Sequence, residues 1–238
     1  MAGKSKIEWT ESTWNPITGC TKISEGCSNC YAERMAKRLN AMNQEKYKNG
    51  FKVALHPECL NEPLNLKKPQ VIFVCSMSDL FHKSVPDNYI KQVFEVMNKA
   101  KWHTFQVLTK RSKRLAQLAP ELNWTDNIWL GVTVEADKHK DRIKDLIKIP
   151  AKIKYLSIEP MIEQIKPIPL KGIDWVIVGG ESGPGSRPIE ESWVTYIRDK
   201  CIDSKVPFFF KQWGGTNKKE AGSLLQGEYW KHYPILKK

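Results

Sequence analysis

Three cysteines near the amino end of the chain have the residue type and spacing that most favour chemistry. Cys20, Cys27 and Cys30 follow the spacing C-x6-C-x2-C, and a helical apolar pattern begins directly after the third. Gly19 and Gly26 let the backbone bend so that the three thiols can converge. The amino terminus of the following helix favours thiolates and an anionic cluster. This loop therefore predicts a metal or cluster site.

Two metal centres are compatible with these three cysteines, and free thiols are the remaining alternative. A 4Fe–4S cluster takes four ligands, so three thiolates leave one iron open to a non-protein ligand. Structural zinc also takes four ligands, and Cys59, His56 or Cys75 could supply the fourth. Zinc sites usually show a second close cysteine pair, which this sequence lacks. The pattern therefore favours the open cluster.

Short apolar runs rich in Val, Ile and aromatic residues predict the strands that must position this loop. They mostly lack alternation, as is typical of parallel strands covered on both faces. Residues 17–19 are expected to supply the end of an earlier strand. The main runs are 70–75, 104–109, 128–134, 153–158, 175–178 and 207–210.

Helical spacing of apolar residues fills the intervals between these runs. The pattern recurs within 32–42, 90–97, 115–118, 143–147 and 193–201. This alternation predicts a single α/β domain over residues 1–238 with a parallel sheet, and a partly irregular tail at 214–238.

Nearly every predicted strand ends in polar residues. Ligands of barrels and open α/β sheets bind beyond the carboxyl ends of the strands, so these residues predict one catalytic rim. The candidates at the rim are Ser76, Ser78, Asp79, Lys110, Arg111, Thr133, Glu135, Glu159, Glu181 and Lys211.

Composition limits the remaining possibilities. The chain has 238 residues, of which 41% are hydrophobic and 27% charged, and its net charge is +12. This excess of cations attracts polyanions, although lysines also cover ordinary solvated helices. No apolar run approaches the ~20 residues of a membrane-spanning helix, and no signal peptide is evident, so we expect a cytoplasmic protein without membrane contact. Phosphate-loop, dinucleotide-binding, zinc-protease and nucleophile-elbow motifs are absent from the sequence.

The cysteine loop and the strand ends together resemble a known family. With Trp14-Asn15-Pro16 before the loop and Tyr31-Ala32-Glu33 after it, the chain resembles the phage-associated three-cysteine-motif proteins, which are similar to the radical S-adenosylmethionine (radical SAM) superfamily. The resemblance extends over about residues 7–215. It is carried by SMSDLF (76–81), LTKR (108–111), GVTVE (131–135), SIEPM (157–161) and GGESGPGSRP (179–188).

This resemblance implies a partial (β/α) barrel of the radical SAM type, with parallel strands, outer helices and the cluster loop after the first strand. It also implies two cofactors, a 4Fe–4S cluster and S-adenosyl-L-methionine, together with an external electron donor. One electron would cleave the sulfonium into methionine and a 5′-deoxyadenosyl radical, which abstracts a substrate hydrogen. The chain departs from the commonest pattern in its six-residue first gap and in Asn29, where an aromatic residue is usual.

The resemblance also suggests roles for the rim. Ser76, Ser78 and Asp79 correspond to the segment that takes the amino group of the cofactor, and Lys110 or Arg111 would pair with its carboxylate. Thr133 and Glu135 would hold the ribose.

On the substrate side, the expected contacts are Glu159, Glu181, Arg187 and Lys211. The leading hypothesis is a radical SAM-like enzyme with an unknown substrate, which the basic charge suggests is a nucleotide or nucleic acid. The alternative is a zinc-bearing nucleic-acid-binding protein without catalytic activity.

Overall fold

The computed structural model of the chain describes residues 3–5 and 7–235. Its strands are β1 (Gly3–Lys4), β2 (Ser12–Trp14), β3 (Ile17–Thr18), β4 (Ala54–Leu55), β5 (Val71–Val74), β6 (Thr104–Thr109), β7 (Ile128–Thr133), β8 (Ile153–Ile158), β9 (Trp175–Gly179), β10 (Phe208–Gln212), β11 (Leu224–Leu225) and β12 (Glu228–Tyr229). Its α-helices are α1 (Tyr31–Ala41), α2 (Asp87–Lys99), α3 (Ser112–Leu118), α4 (Asp141–Leu146), α5 (Glu191–Asp203) and α6 (Lys218–Ala221).

The main sheet contains eight strands in the order β1-β2-β5-β6-β7-β8-β9-β10. The seven strands from β2 to β10 in that order run parallel, whereas β1 pairs antiparallel with β2. Helices α2, α3, α4 and α5 each connect two consecutive parallel strands, and the irregular segment 159–174 makes the connection between β8 and β9. The predicted α/β fold, a partial (β/α) barrel with parallel strands and outer helices, is confirmed.

Most predicted elements lie where the sequence pattern placed them. The strands predicted at 104–109 and 153–158 match at both ends, and the other four differ by one or two residues. The helical patterns coincide with α1 to α5. No helix among residues 3–5 and 7–235 has both the length and the apolar character needed to span a membrane.

The strand end expected at residues 17–19 is present as β3, but this strand lies outside the main sheet. Residues 17–19 do not end a strand of the main sheet, because Ile17–Thr18 pairs antiparallel with Ala54–Leu55. The first parallel strand is instead Ser12–Trp14, which pairs with β5. Its three residues are too few to show a periodic pattern, and Pro16, which has no N–H to donate, separates the two segments.

The two faces of the sheet carry different side chains, since successive residues of a strand point to opposite faces. Val176 and Val178 of β9 pack into the core under the helices, whereas Trp175 and Ile177 belong to a second cluster on the concave face. This concave cluster consists of Trp9, Trp129, Ile153, Tyr155, Trp175, Ile177 and Phe209. Trp9, Trp14, Trp129 and Trp175 are all buried, so these four side chains serve packing.

Residue size along the concave face decides where this side of the barrel is filled. Trp129 and Trp175 lie at the amino ends of β7 and β9, whereas Thr133 and Gly179 lie at the carboxyl ends. Large rings therefore fill the amino end of the concave side, and small residues leave space at the carboxyl end.

The tail, expected to be partly irregular, pairs along the far edge of the sheet. The amide of Phe210 donates to Trp230 O at 2.8 Å, and the amide of His232 donates to Phe208 O at 3.1 Å. The indole of Trp175 donates to His232 O at 2.9 Å. These contacts cover part of an edge that would otherwise expose unpaired backbone groups.

Gly131 offers a test of the concave packing. A Cβ at this position would lie 2.4 Å from a ring carbon of Tyr155, which is fully buried. We expect Gly131→Ala to lower the free energy of unfolding by about 1–3 kcal/mol because the ring must shift. Chemical denaturation measures this loss. In a Tyr155→Leu background the same substitution should cost much less, whereas an equal cost in both backgrounds would contradict the contact.

Candidate active site

A cavity of about 280 Å³ opens at the carboxyl ends of the parallel strands, where the concave face carries small residues. Most of the candidate residues from the sequence line it. These are Cys20, Cys27, Cys30, Ser76, Ser78, Asp79, Lys110, Arg111, Thr133, Glu159 and Glu181. Glu135, Arg187 and Lys211 do not line the cavity, but each bonds to a residue of its wall or of the cysteine loop.

The cysteine loop, residues 19–30, forms one wall of this cavity. Gly19 begins it with a φ of +80°, and a Cβ there would lie 2.2 Å from Lys52 O, so only glycine fits. Cys27 ends a short 3-10 turn, and Cys30 precedes the first residue of α1. All three thiols are partly exposed toward the same space.

These three thiols match the donor set that an open 4Fe–4S cluster requires. Burial, with a smaller contribution from Asp79, raises the pKa of Cys20 to about 11. Cys20 Sγ contacts Thr21 O at 3.5 Å, and Cys27 Sγ lies 3.6 Å from Ser24 Oγ. In the part of the chain that the structure describes, no three His, Cys, Asp or Glu side chains are grouped to hold a metal ion. The fit to a cluster therefore rests on the chemistry and common cavity of the donors.

The candidate fourth ligands for zinc lie in different surroundings. Cys75 lines the cavity but is almost fully buried, and burial raises the pKa of its thiol far above the ordinary value. Cys59 Sγ instead contacts Lys46 Nζ at 3.2 Å, and His56 Nε2 pairs with Thr18 Oγ1 at 2.8 Å. Neither Cys59 nor His56 is among the residues that line the cavity.

The ends of β5 and β6 hold the loop on one side. Ser78 Oγ donates to Gly19 O at 2.6 Å. Arg111 donates from Nη2 to Thr21 O at 3.0 Å, and its Nη1 lies 3.4 Å from Asp79 Oδ2. Asp79 Oδ1 accepts from Thr109 Oγ1 at 2.7 Å, so this buried carboxylate connects both strand ends to the loop.

Glu135, after the end of β7, supports the loop from below. Its side chain is fully buried, and it accepts hydrogen bonds from Ser24 Oγ and, at 2.7 Å, from Arg142 Nη1. A Cβ on Gly26 would lie 2.7 Å from Glu135 Cγ, so the loop can approach this closely only with glycine. Burial acts to raise the pKa of Glu135, but the charges of Lys110 and Arg142 bring it below its ordinary value.

The glycine-rich segment after β9 holds the loop on the opposite side. Arg187 donates from Nη2 to Glu181 Oε1 at 2.6 Å and to Glu25 O at 2.9 Å. Asn29 Nδ2 donates to Glu181 Oε2 at 2.9 Å. Burial acts to raise the pKa of Glu181, yet the hydrogen bonds from Arg187 lower it overall. The segment that follows β9 therefore binds the cysteine loop across the open side of the half-barrel.

Another part of the cavity wall carries an ion pair. Lys211 Nζ lies 2.5 Å from Glu159 Oε1, which also accepts from Gln212 Nε2 at 3.2 Å. Gln212 in turn donates to Ser182 Oγ at 3.1 Å. The peptide bond between Glu159 and Pro160 is cis.

Lys110 differs from the other charged residues of the cavity. Within residues 3–5 and 7–235, its ammonium has neither a hydrogen bond nor an ion pair within 4.0 Å. The side chain is half-buried at the end of β6, and its charge is felt by Glu135. It is therefore free to pair with an anionic group of a ligand.

Sequence reasoning missed several polar residues that shape this site. Asn15 Oδ1 accepts from Ser76 Oγ at 3.1 Å and from the amide of Met77 at 3.0 Å. Asn29 bonds Glu181, and Ser24 bonds Glu135. The position of Asn15 between Trp14 and Pro16, beside the loop, was a signal that could have identified it. Nothing local indicated the partners of Asn29 or Ser24, since they lie more than a hundred residues away.

Comparison with known proteins gives a family match and a fold match. The family model described as "Protein of unknown function (DUF5131)" matches residues 4–234. No curated protein sequence matches the chain. The family description names no phage, so the phage association stays a prediction of the sequence.

Solved structures of spore photoproduct lyase share the fold. One, complexed with dinucleoside spore photoproduct, superposes with a TM-score of 0.52 at 9% identity, over 84% of this chain and 63% of that chain. A double mutant with bound AdoMet and dinucleoside spore photoproduct gives a TM-score of 0.52 at 8% identity, with the same coverage. The chain thus spans 63% of the length of these structures, and identity this low shows a common fold alone.

Glu135 gives a pH-dependent test of the loop support. Because its folded-state pKa lies below the ordinary value of 4.5, its charge stabilises the folded protein above that pH, and the contribution is lost as the pH falls through the folded-state pKa. We expect Glu135→Gln to lower the free energy of unfolding by about 3 kcal/mol at neutral pH, since Arg142 keeps a buried charge without its partner. Denaturant unfolding at several pH values should show this difference narrowing in acid.

The matched control is Glu95→Gln, which changes an exposed glutamate on α2. It should leave the free energy of unfolding nearly unchanged at every pH. A Glu135→Gln deficit that stays constant down to the most acidic pH would show that the charge of Glu135 is not what holds the loop.

Proposed function

We propose that this chain, which belongs to the family described as "Protein of unknown function (DUF5131)", is a radical SAM-type enzyme. In this proposal Cys20, Cys27 and Cys30 hold a 4Fe–4S cluster, and S-adenosylmethionine occupies the cavity beside them. The observation that carries the proposal is that these three thiols share one cavity with the polar carboxyl ends of a parallel half-barrel. The presence of AdoMet in a structure with the same fold supports it.

Cys20, Cys27 and Cys30 would hold the cluster, which would supply, with an electron from an external donor, the one-electron reduction of the sulfonium of S-adenosylmethionine. The residues of the chain bind and orient the cofactor. The unpaired ammonium of Lys110 pairs with the methionine carboxylate. Asp79 Oδ2, whose contacts to Lys110 N and Arg111 Nη1 are long at 3.2 and 3.4 Å, keeps capacity to accept from the methionine ammonium.

The other candidates divide between the cofactor and the loop. Thr133 lines the cavity, and we assign it to the ribose. Glu135 instead lies beneath the loop and positions Ser24 and Gly26. Ser76 and Ser78 line the cavity on the amino-group side, while Ser78 also fixes Gly19. These residues are assigned to the cofactor side.

The substrate side of the proposal is the wall of Glu159 and Glu181. Each carboxylate is bonded to a cation, Lys211 or Arg187, so the wall offers hydrogen-bonding groups that are already fixed in orientation. We assign a nucleotide or nucleic-acid substrate to this side. The net charge of +12 and the dinucleoside ligand in the structures that share the fold support this class.

Anaerobic reconstitution with iron and sulfide tests the cluster. We expect the wild-type protein to become brown, to carry iron and sulfide, and to release 5′-deoxyadenosine from S-adenosylmethionine with a reductant. Cys27→Ala should lose the cluster and this activity, because a ligand is removed. The control Cys201→Ala, which changes a buried thiol on α5, should keep both.

Two outcomes would contradict this proposal. A colourless protein with stoichiometric zinc after anaerobic reconstitution would favour the zinc-bearing nucleic-acid-binding alternative. Equal loss of iron in both cysteine variants would show that Cys27 is not a specific ligand.

Lys110 tests the placement of the cofactor. We expect Lys110→Gln to weaken binding of S-adenosylmethionine by about 10- to 100-fold, since a charge-assisted hydrogen bond contributes about 1.5–3 kcal/mol. Equilibrium binding measures the affinity, and iron analysis should show an unchanged cluster. The control is Lys68→Gln, at an exposed lysine before β5. Unchanged affinity in Lys110→Gln would remove Lys110 from the cofactor site.

A further inference from the structure

A second and larger cavity, of about 790 Å³, adjoins the first at the carboxyl ends of the strands. Lys110 and Arg111 line both, so these two residues form the wall between them. The second cavity, called the basic cavity below, is also bounded by residues 21–23 of the cysteine loop, by Lys83 and by residues 112–114. Cations outnumber the two acidic residues of its lining several-fold.

Several of these cations are already engaged by the protein. Arg142 bonds Glu135 Oε2 and Thr133 O, both at 2.7 Å, and Lys138 pairs with Glu25. Arg114 donates to Val85 O at 2.6 Å and also binds Asp87. These side chains are structural and contribute little to a ligand.

Three lysines of the basic cavity are not engaged in this way. Lys83, Lys110 and Lys113 have no ion pair within 4.0 Å among the residues that the structure describes. Lys83 and Lys113 are exposed to solvent. Three unpaired cations around one concavity repel each other, and an anionic ligand relieves that repulsion.

The acidic residues of the cavity do not cancel this charge. Asp145 Oδ2 accepts from Ser112 Oγ at 2.7 Å, and Asp141 pairs with Lys144 at 2.7 Å. Both carboxylates therefore have partners of their own. The unpaired charge that faces the cavity is positive.

From this arrangement we infer that the basic cavity is a phosphodiester subsite, which binds the backbone of a single nucleic-acid strand next to the nucleotide that reacts in the first cavity. This inference rests on the proposed function, because it places the reacting group in the cavity of the cysteines. The volume lies within the range of about 300–1,000 Å³ that is usual for ligand sites. Lys83 and Lys113 bind the flanking phosphates, while Lys110 in the shared wall marks where the strand passes between the cavities.

A strand, rather than an isolated nucleotide, fits the continuity of the two cavities. An enzyme that performs chemistry on a base must take the base out of a stack, so the reacting nucleotide enters one pocket while its neighbours remain outside it. The adjoining cavity with unpaired lysines supplies a place for those neighbours. Ile23, which is about half exposed on the loop at its edge, offers an apolar surface beside the charges.

The test compares oligonucleotide binding by two charge-matched double variants of the full-length reconstituted protein. Lys83→Gln/Lys113→Gln removes two unpaired cations of the basic cavity. Lys68→Gln/Lys171→Gln removes two exposed lysines before β5 and β9, at the opposite end of the strands. Fluorescence anisotropy with a labelled short single-stranded DNA, and separately with the same sequence as RNA, gives the affinity over a series of salt concentrations.

We expect the first double variant to weaken binding on the order of tenfold and to reduce the salt slope by about 1.4, since each single-strand phosphate contact contributes about 0.7 to it. The control pair should change neither quantity appreciably. Equal effects in the two variants, or displacement of the strand by equimolar inorganic phosphate, would overturn the inference. A loss of affinity confined to the first double variant, with the DNA or with the RNA strand, would support the inference.

Failure of the inferred strand binding can be distinguished from failure of the proposed radical SAM activity. Binding is measured without cleavage of S-adenosylmethionine, and iron content and 5′-deoxyadenosine are measured separately on the same preparations. Lost strand binding in Lys83→Gln/Lys113→Gln with no deoxyadenosine from the wild type would support the basic cavity and refute the activity. Deoxyadenosine formation by the wild type, together with unchanged strand binding in Lys83→Gln/Lys113→Gln, would support the activity and refute the inference about the basic cavity.

Discussion

The candidate site depends on how an irregular loop of twelve residues is held rigid. The loop at 19–30 has little regular hydrogen bonding of its own, and its position comes from polar groups at the ends of four different strands. Two of these groups, Glu135 and Glu181, are carboxylates taken almost completely out of water. A buried carboxylate tolerates few alternative arrangements, because an unpaired charge in the interior costs several kcal/mol. This intolerance gives the three thiols a defined place.

The same contacts explain how a partial barrel behaves as one unit. Within residues 3–5 and 7–235, the parallel sheet does not close on itself, so β2 and β10 are not hydrogen-bonded to each other. Arg187 and Asn29 bring the segment after β9 against the cysteine loop, and Arg34 of α1 donates to Ser182 O at 2.5 Å. Side chains, rather than backbone hydrogen bonds between strands, therefore connect the two sides of the half-barrel. Gly183 permits this, since a Cβ there would lie 2.6 Å from the guanidinium of Arg34.

Charge is distributed so that the two cavities have different characters. In the first, carboxylates and cations are mostly paired, which fixes hydrogen-bonding groups in orientation around a small space. In the basic cavity, Lys83 and Lys113 lie at the surface without an ion pair among the described residues, and they present a diffuse positive field. Paired groups suit recognition of a defined small molecule, whereas unpaired lysines suit a phosphate backbone whose contacts vary. Lys110 lines both cavities because it follows directly after β6, where the two cavities adjoin.

Local patterns in the sequence were sufficient for the parallel strands β5 to β10 and for the helices between them, whereas the family resemblance suggested where the cysteine loop lies. Burial on both faces makes such strands continuously apolar. Their carboxyl ends must lie at one edge of the sheet, so the polar residues at these ends, such as Asp79, Lys110 and Thr133, could be grouped without a structure. The cysteine spacing in the same way predicted three residues that line one cavity, Cys20, Cys27 and Cys30.

Tertiary structure decided what each polar residue contacts. Glu135 follows a strand like the cavity residues do, yet the fold places it beneath Gly26, where it supports the loop. The three-residue strand Ser12–Trp14 and the partnership of Asn29 with Glu181 were equally invisible, since the first is too short for a period and the second joins residues 152 positions apart. Periodicity records which face of an element is buried, whereas contacts between distant loops depend on how the elements pack, and no local pattern records that.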